Sequence, residues 1–194
     1  MNESSYHAST NDTLKNMEFR LKHAIELLRR TPGVLDAMLR GQPEEWLNCR
    51  MAEGTFSPVD ILGHLVHGEL TDWIPRAEII MNYGETRTFT PFDRHGFGEL
   101  IEGRSPEDLL SQFAVLRARN LDALDAMHLD EAMLDRTGMH PDPAIGRVTM
   151  RNLLATWVVH DLGHIDQLVR VMSNEYRGAV GPWIQYLSIL GSAR

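Results

Sequence analysis

His160 and His164 stand four residues apart in Trp157-Val158-Val159-His160-Asp161-Leu162-Gly163-His164-Ile165. On a helix, positions i and i+4 lie one above the other on the same face, so the two imidazoles can grip one divalent ion. Two ligands leave such a site incomplete. Further histidines occur upstream, in Leu62-Gly63-His64-Leu65-Val66-His67-Gly68-Glu69. A pair spaced this way also arises by chance. The second histidine run is what turns it into a candidate metal site built across two helices.

Three neutral imidazoles would leave the charge of a divalent ion uncompensated and at least one position open. Structural zinc sites are instead closed by four protein ligands, often cysteines. The only cysteine, Cys49, sits in a connector and is no obvious fourth ligand. An open position can hold water and lower its pKa towards neutrality. It can equally hold an external thiol, which coordination deprotonates, and the thiolate is the nucleophile of thiol chemistry. Two acids, Glu69 and Asp161, fall where helical periodicity expects apolar residues. A buried carboxylate needs a partner or a function. Each is therefore a candidate to orient a ligating histidine or to act as a general base. The structural alternative is an ion pair with an arginine such as Arg76.

The elements that must position these residues read as helices. From about Asp12, the residues Leu14, Met17, Leu21, Ile25 and Leu28 recur at helical spacing, with Asp12 or Thr13 as cap. Thr31-Pro32-Gly33 is expected to break or bend that helix. A second helix opens at Ser57-Pro58 and runs through His64 towards Met81, with Pro75 kinking or shortening it. Its stripe comprises Val59, Leu62, Leu65, Val66, Leu70, Trp73 and Ala77. His64 and His67 flank that stripe on opposite sides, and the wheel does not choose between them. Gly63 and Gly68 are read as room beside His64 for a metal or substrate.

A third helix follows Ser105, and a fourth runs from Thr149 to about Ser173. On the fourth, Leu154, Val158, Leu162, Ile165 and Leu168 mark the apolar side, and His160 and His164 lie at its edge beside Leu153 and Trp157. Two long loops, 83–104 and 128–147, separate these elements. The first, with Phe89, Phe92, Phe97 and His95, could roof the site. Strand-like alternation is absent, and the tail around Trp183 is expected to pack back on the helices. Four helices in one domain imply an all-α four-helix bundle over residues 12–190, after a loose polar segment, 1–11.

Composition narrows the function. The chain has 194 residues, enough for one well-buried core. Its net charge of −8 argues against binding the nucleic-acid backbone, which needs clustered Lys and Arg. No apolar run is long enough to span a bilayer, and the first residues lack a signal-peptide pattern. With a single cysteine no intrachain disulfide can form. Together these favour a cytoplasmic protein without membrane or nucleic-acid partners.

Phe56-Ser57-Pro58-Val59-Asp60-Ile61-Leu62-Gly63-His64-Leu65-Val66-His67-Gly68-Glu69 resembles the first histidine motif of the DinB superfamily of metal-binding four-helix bundles. Thr149-Met150-Arg151-Asn152-Leu153-Leu154, leading to His160-Asp161-Leu162-Gly163-His164, resembles its last-helix motif. Val180-Gly181-Pro182-Trp183 matches a tail seen in one branch. The likeness runs from about Asp12 to Leu187. It implies His64, His160 and His164 as ligands, with His67 as runner-up, Zn²⁺ or Ni²⁺ as the metal, and a homodimer. Some members are transferases or isomerases that use a low-molecular-weight thiol such as bacillithiol or mycothiol. The favoured expectation is thus a metal-dependent transfer of a small thiol to an electrophilic small molecule. The alternatives are a metal-dependent hydrolase, with Glu69 or Asp161 as base, and a non-enzymatic, stress-related metal- or ligand-binding bundle.

Overall fold

The computed structural model describes residues 17–191. The expected caps Asp12 and Thr13, and segment 1–11, lie outside them. Residues 17–20 are not helical, so the first long helix, α1 (Leu21–Leu39), begins later than the periodicity suggested. It also runs straight through Pro32, where a break was expected. The reason lies across the core. Proline has no N–H to offer the carbonyl four residues back. That carbonyl, Leu28 O, accepts instead from Arg117 Nη1 at 2.7 Å. The carbonyl freed by Pro32 is therefore satisfied from another helix.

The connector that follows holds a short helix, α2 (Glu44–Asn48). Ser57 then starts α3 (Pro58–Thr71) with a capping box: Asp60 N donates to Ser57 Oγ at 3.2 Å, and Ser57 N donates to Asp60 Oδ2 at 2.8 Å. The chain breaks at Asp72 and resumes as α4 (Trp73–Tyr83). Pro75 thus falls in the first turn of α4, where no N–H is required. After α5 (Gly98–Ile101) comes α6 (Pro106–Ala126), capped by Ser105. The second loop carries α7 (Glu131–Leu134) and a small antiparallel ribbon, β1 (Thr137–Met139) with β2 (Arg147–Thr149), in which Gly138 faces Val148. This ribbon corrects the expectation of no strands; three residues are too few to show a period of two. Finally α8 (Met150–Glu175) opens on a Thr149–Asn152 capping box.

The bundle has an uncommon arrangement. Helix α1 packs on α6 and α8, and α3 packs on the same two. The first and second long helices therefore face each other across the core instead of lying side by side, which suits the long connections between them.

The core consists of two apolar clusters. One gathers Leu28, Trp73, Ile80, Phe89, Met150 and Trp157; the other gathers Leu35, Leu65, Leu109, Phe113 and Leu168. On each long helix a polar residue lies between the two clusters: Thr31, Glu69, Arg117 and Asp161.

Three apolar assignments fail, the first being Met17, which precedes α1 and is exposed. Leu162 and Leu70 are 50% and 41% exposed, because Asp161 and Glu69 take the inward positions beside them. The tail does not pack back as expected: Trp183 and Tyr186 are exposed. The chain turns at Gly181, where φ is 52°, a conformation suited to glycine. Only Leu190 is tucked in, its carbonyl held by Arg177.

Candidate metal centre

The capping boxes of α3 and α8 fix where each helix begins and so which face each histidine presents. His64 of α3 is buried at 4% exposure, and His160 and His164 of α8 are half-buried beside it. Nε2 of His160 lies 3.2 Å from Nε2 of His64 and 3.1 Å from Nε2 of His164. The three donor atoms all fall within 4.8 Å of one another. Two nitrogens bound tetrahedrally to one zinc, each about 2.0–2.1 Å from it, lie about 3.3 Å apart. The spacing is that of ligands around one small cation.

The outer nitrogens fix the tautomers. His64 Nδ1 lies 3.1 Å from the carbonyl of Arg94, and His164 Nδ1 lies 2.9 Å from Gln167 Oε1. Both partners are acceptors, so each Nδ1 carries the proton and each Nε2 presents a bare lone pair to the centre. His160 Nδ1 is buried with no hydrogen-bond partner. Burial, reinforced by the neighbouring imidazoles, lowers His64 to about 4 and His160 to about 3. Burial lowers His164 as well. Nε2 of His160 can carry a proton shared with its neighbours or, once unprotonated, join them in presenting three lone pairs to a cation. The donor set fits a divalent metal.

Beneath the histidines lies a buried polar hub. Arg117 Nη1 donates to Asp161 Oδ2 at 2.6 Å, and Nη2 donates to Glu69 Oε1 at 2.8 Å. Thr31 Oγ1 donates to Asp161 Oδ2 at 2.6 Å. Asn120 Nδ2 and Trp157 Nε1 complete the shell of Glu69, at 3.0 and 3.1 Å. Burial pushes Glu69 up, opposed by Arg117 and Asn120. Burial alone would lower Arg117, but Asp161 and Glu69 together hold it above its ordinary value. Two carboxyl groups thus share one guanidinium.

The hub revises several readings. The arginine that pairs with the two buried acids is Arg117, whereas Arg76 pairs with Asp72. No hydrogen bond joins Glu69 or Asp161 to a histidine ring among the described residues. The space beside Gly63 is not a ligand cavity: a Cβ there would meet Ile101 Cγ2 at 2.4 Å and Phe97 Cδ2 at 3.2 Å, so the glycine admits α5. His67 stays outside the cluster, with its ring 5.1 Å from that of Phe92. His95 is exposed, packed edge-on to Phe56 at 5.6 Å. The loop that carries it reaches His64 through the Arg94 carbonyl and the ring of Phe92. The Cys49 thiol is buried, donates to Trp46 O at 3.2 Å, and is pushed up by burial.

The sequence reading assigns no role to Arg117 or Asn120. The signal was present, since both occur at helical spacing from Phe113 and Leu124, where an apolar residue is expected. Arg94 acts through its backbone carbonyl and Gln167 through a half-buried amide, and neither breaks an apolar stripe.

Beside His160 opens a chamber of about 330 Å³, lined by Trp73, Phe89, Phe92 and Leu153 together with Arg76, His140, Asn152 and Thr156. Among the described residues, no helix is long and apolar enough to cross a membrane.

Comparison with known proteins agrees with this architecture. No curated protein matches the chain. Among solved structures it is similar to YfiT from Bacillus subtilis, described as a probable metal-dependent hydrolase with an unusual four-helix bundle topology. The TM-score is 0.69 at 19% identity, over 82% of this chain and 91% of that one, which is a likeness of fold. The model of the DinB superfamily matches residues 27–168. That span holds all three histidines and the whole hub, and the chain belongs to the DinB superfamily.

Proposed function

We propose that this protein is a divalent-metal-dependent enzyme. In this reading His64, His160 and His164 hold Zn²⁺ or Ni²⁺, and a low-molecular-weight thiol is transferred to an electrophilic small molecule in the adjoining chamber. The observation that carries the proposal is the convergence of three imidazole Nε2 atoms beside that chamber. A divalent ion on three neutral imidazoles keeps a coordination position for an outside ligand and favours the ionised form of a thiol or water bound there.

The chain's own groups set the conditions. The Arg94 carbonyl and Gln167 hold two rings in the required tautomer. The hub sets two carboxyl groups and one guanidinium behind the centre. Trp73, Phe89, Phe92 and Leu153 exclude water from the reacting groups. Glu69 and Asp161 act as positioning residues through Arg117. This favours thiol transfer, because the buried carboxylates around the centre, Glu69, Asp72 and Asp161, are all committed to guanidinium groups. A thiol that binds as thiolate needs no protein base, whereas metal-assisted hydrolysis often recruits a free carboxylate. Hydrolysis is the second reading, drawn from the description of YfiT. The exposed apolar residues of α1 and α8 support a homodimer. A cytoplasmic location accords with the single cysteine.

Metal content by mass spectrometry on tag-free protein tests the centre. A single metal per chain in the wild type, lost in His64→Ala and His160→Ala, is the expected result. Wild type that stays empty after incubation with Zn²⁺ and Ni²⁺ refutes it. Loaded protein is then assayed on chloroarenes and nitrophenyl esters. Turnover that needs added thiol supports transfer; thiol-independent ester cleavage supports hydrolysis; inactivity throughout supports a binding protein.

A further inference from the structure

We propose that the substrate carries a carboxylate, held by Arg76, His140 and Asn152 at the end of the chamber remote from His160. The inference rests on the preceding reading for one point only, that reaction occurs at the His160 end.

The chamber is elongated along α8. Asn152, Thr156 and His160 line it at positions i, i+4 and i+8, which places Asn152 and His160 about 12 Å apart along the helix axis. The opposite wall is α4, where the ring of Trp73 lies 5.1 Å from that of His160 and Arg76 follows three residues on. The Arg76 guanidinium lies over Phe89, 5.4 Å from its centroid, and His140 meets the same ring edge-on at 6.3 Å. Arg76 and His140 are thus gathered on Phe89.

The polar groups at this end have a surplus of donors. Arg76 lines the chamber and pairs with Asp72 through Nε at 2.5 Å, and among the described residues no hydrogen bond engages its two Nη groups. His140 Nδ1 accepts from Asp142 N at 3.0 Å, so the ring proton sits on Nε2. Asn152 Oδ1 accepts from Thr149 N at 3.0 Å, which leaves the amide NH₂ unused. The carboxylate acceptor at this end, Asp72, is already committed to Arg76. Such a set selects a group that only accepts, and an ionised carboxylate matches the planar fork of arginine. Asp72 offsets part of the positive charge, which favours a monoanion over the dianion of a phosphate ester. Trp73, Phe92, Val148 and Leu153 would surround an apolar body between the carboxylate and the reacting end.

The test is calorimetric titration of the full chain with 4-phenylbutyrate, its amide and phenyl phosphate, on chelator-treated and zinc-loaded protein. The carboxylate should bind about 10- to 100-fold more tightly than the amide in both forms, the value of one charge-assisted hydrogen bond. The paired change Asp72→Asn with Arg76→Met removes both charges together and should abolish that preference, while Arg76→Lys retains part of it. Should the paired variant not fold, His140→Phe gives the same readout as a reduced preference. The proposal is overturned by equal binding of acid and amide, or by a preference that survives the paired change. It is also overturned by tighter binding of phenyl phosphate, or by a preference seen only with zinc, which would place the carboxylate on the metal. Failure of the chain to take up zinc would overturn the metal-centre reading alone, because the preference is measurable on chelator-treated protein.

Discussion

Burial and mutual repulsion take the protons from His64 and His160, and this links stability to pH. The unfolded chain protonates these rings near the ordinary value of 6.5, while the folded chain resists until about 4 and about 3. Between those limits the unfolded state binds more protons, so stability rises with pH. The contribution is complete above 6.5 and is lost as pH falls towards 3. Chelator-treated protein should therefore melt at lower temperature at pH 5 than at pH 7.5, a window in which few carboxylates titrate. Replacing His64 with Phe should flatten the dependence. Zinc should raise the melting temperature at pH 7.5 by mass action and lose its effect on acidification, because protons compete for the same nitrogens. An equal melting temperature at both pH values in the chelator-treated wild type would contradict the burial argument. The histidine spacing was readable because four residues on a helix define one face. The orienting partners were not, because a backbone carbonyl from a loop thirty residues away leaves no mark in composition.

Arg117 ties α1, α3, α6 and α8 together, which explains why Pro32 does not break α1. One guanidinium takes the carbonyl that proline leaves free, the carboxylate of α8 and the carboxylate of α3. Replacing Arg117 with Met strands two buried acids and a carbonyl. It should cost about 3–5 kcal/mol, the penalty of breaking a buried pair from one side. Urea unfolding measures it. The triple change Glu69→Gln, Asp161→Asn and Arg117→Met should recover much of the loss, since no uncompensated charge remains. A single variant within about 1 kcal/mol of wild type would show that the hub is not integral to the helix packing. The capped starts of α3, α6 and α8 were legible, since Ser57, Ser105 and Thr149 are local signals. The passage of α1 through Pro32 was not, because it depends on a residue 85 positions further along the chain. The ribbon of β1 and β2 was hidden by its brevity.

The same chain presents an apolar surface on the outer face of the bundle. Leu27 and Val34 of α1 and Val159 and Leu162 of α8 are 43%, 38%, 66% and 50% exposed. Val159 is the most exposed of these four. Among the described residues no helix covers it, so a second copy of the chain is the occupant consistent with the homodimer proposed above. The position of this face matters to the reaction. Leu162 lies between His160 and His164 but points away from them, so a partner seated there would hold α8 from behind without entering the chamber. Light scattering at tens of micromolar should give a dimer for the wild type. Leu162→Glu should shift it to monomer, because a charge buried at an apolar interface is costly. If the partner supports only the back of α8, the monomeric variant keeps its metal stoichiometry and loses thermal stability. Monomeric wild type would refute the homodimer, and loss of metal in a folded Leu162→Glu variant would show that the partner shapes the centre itself.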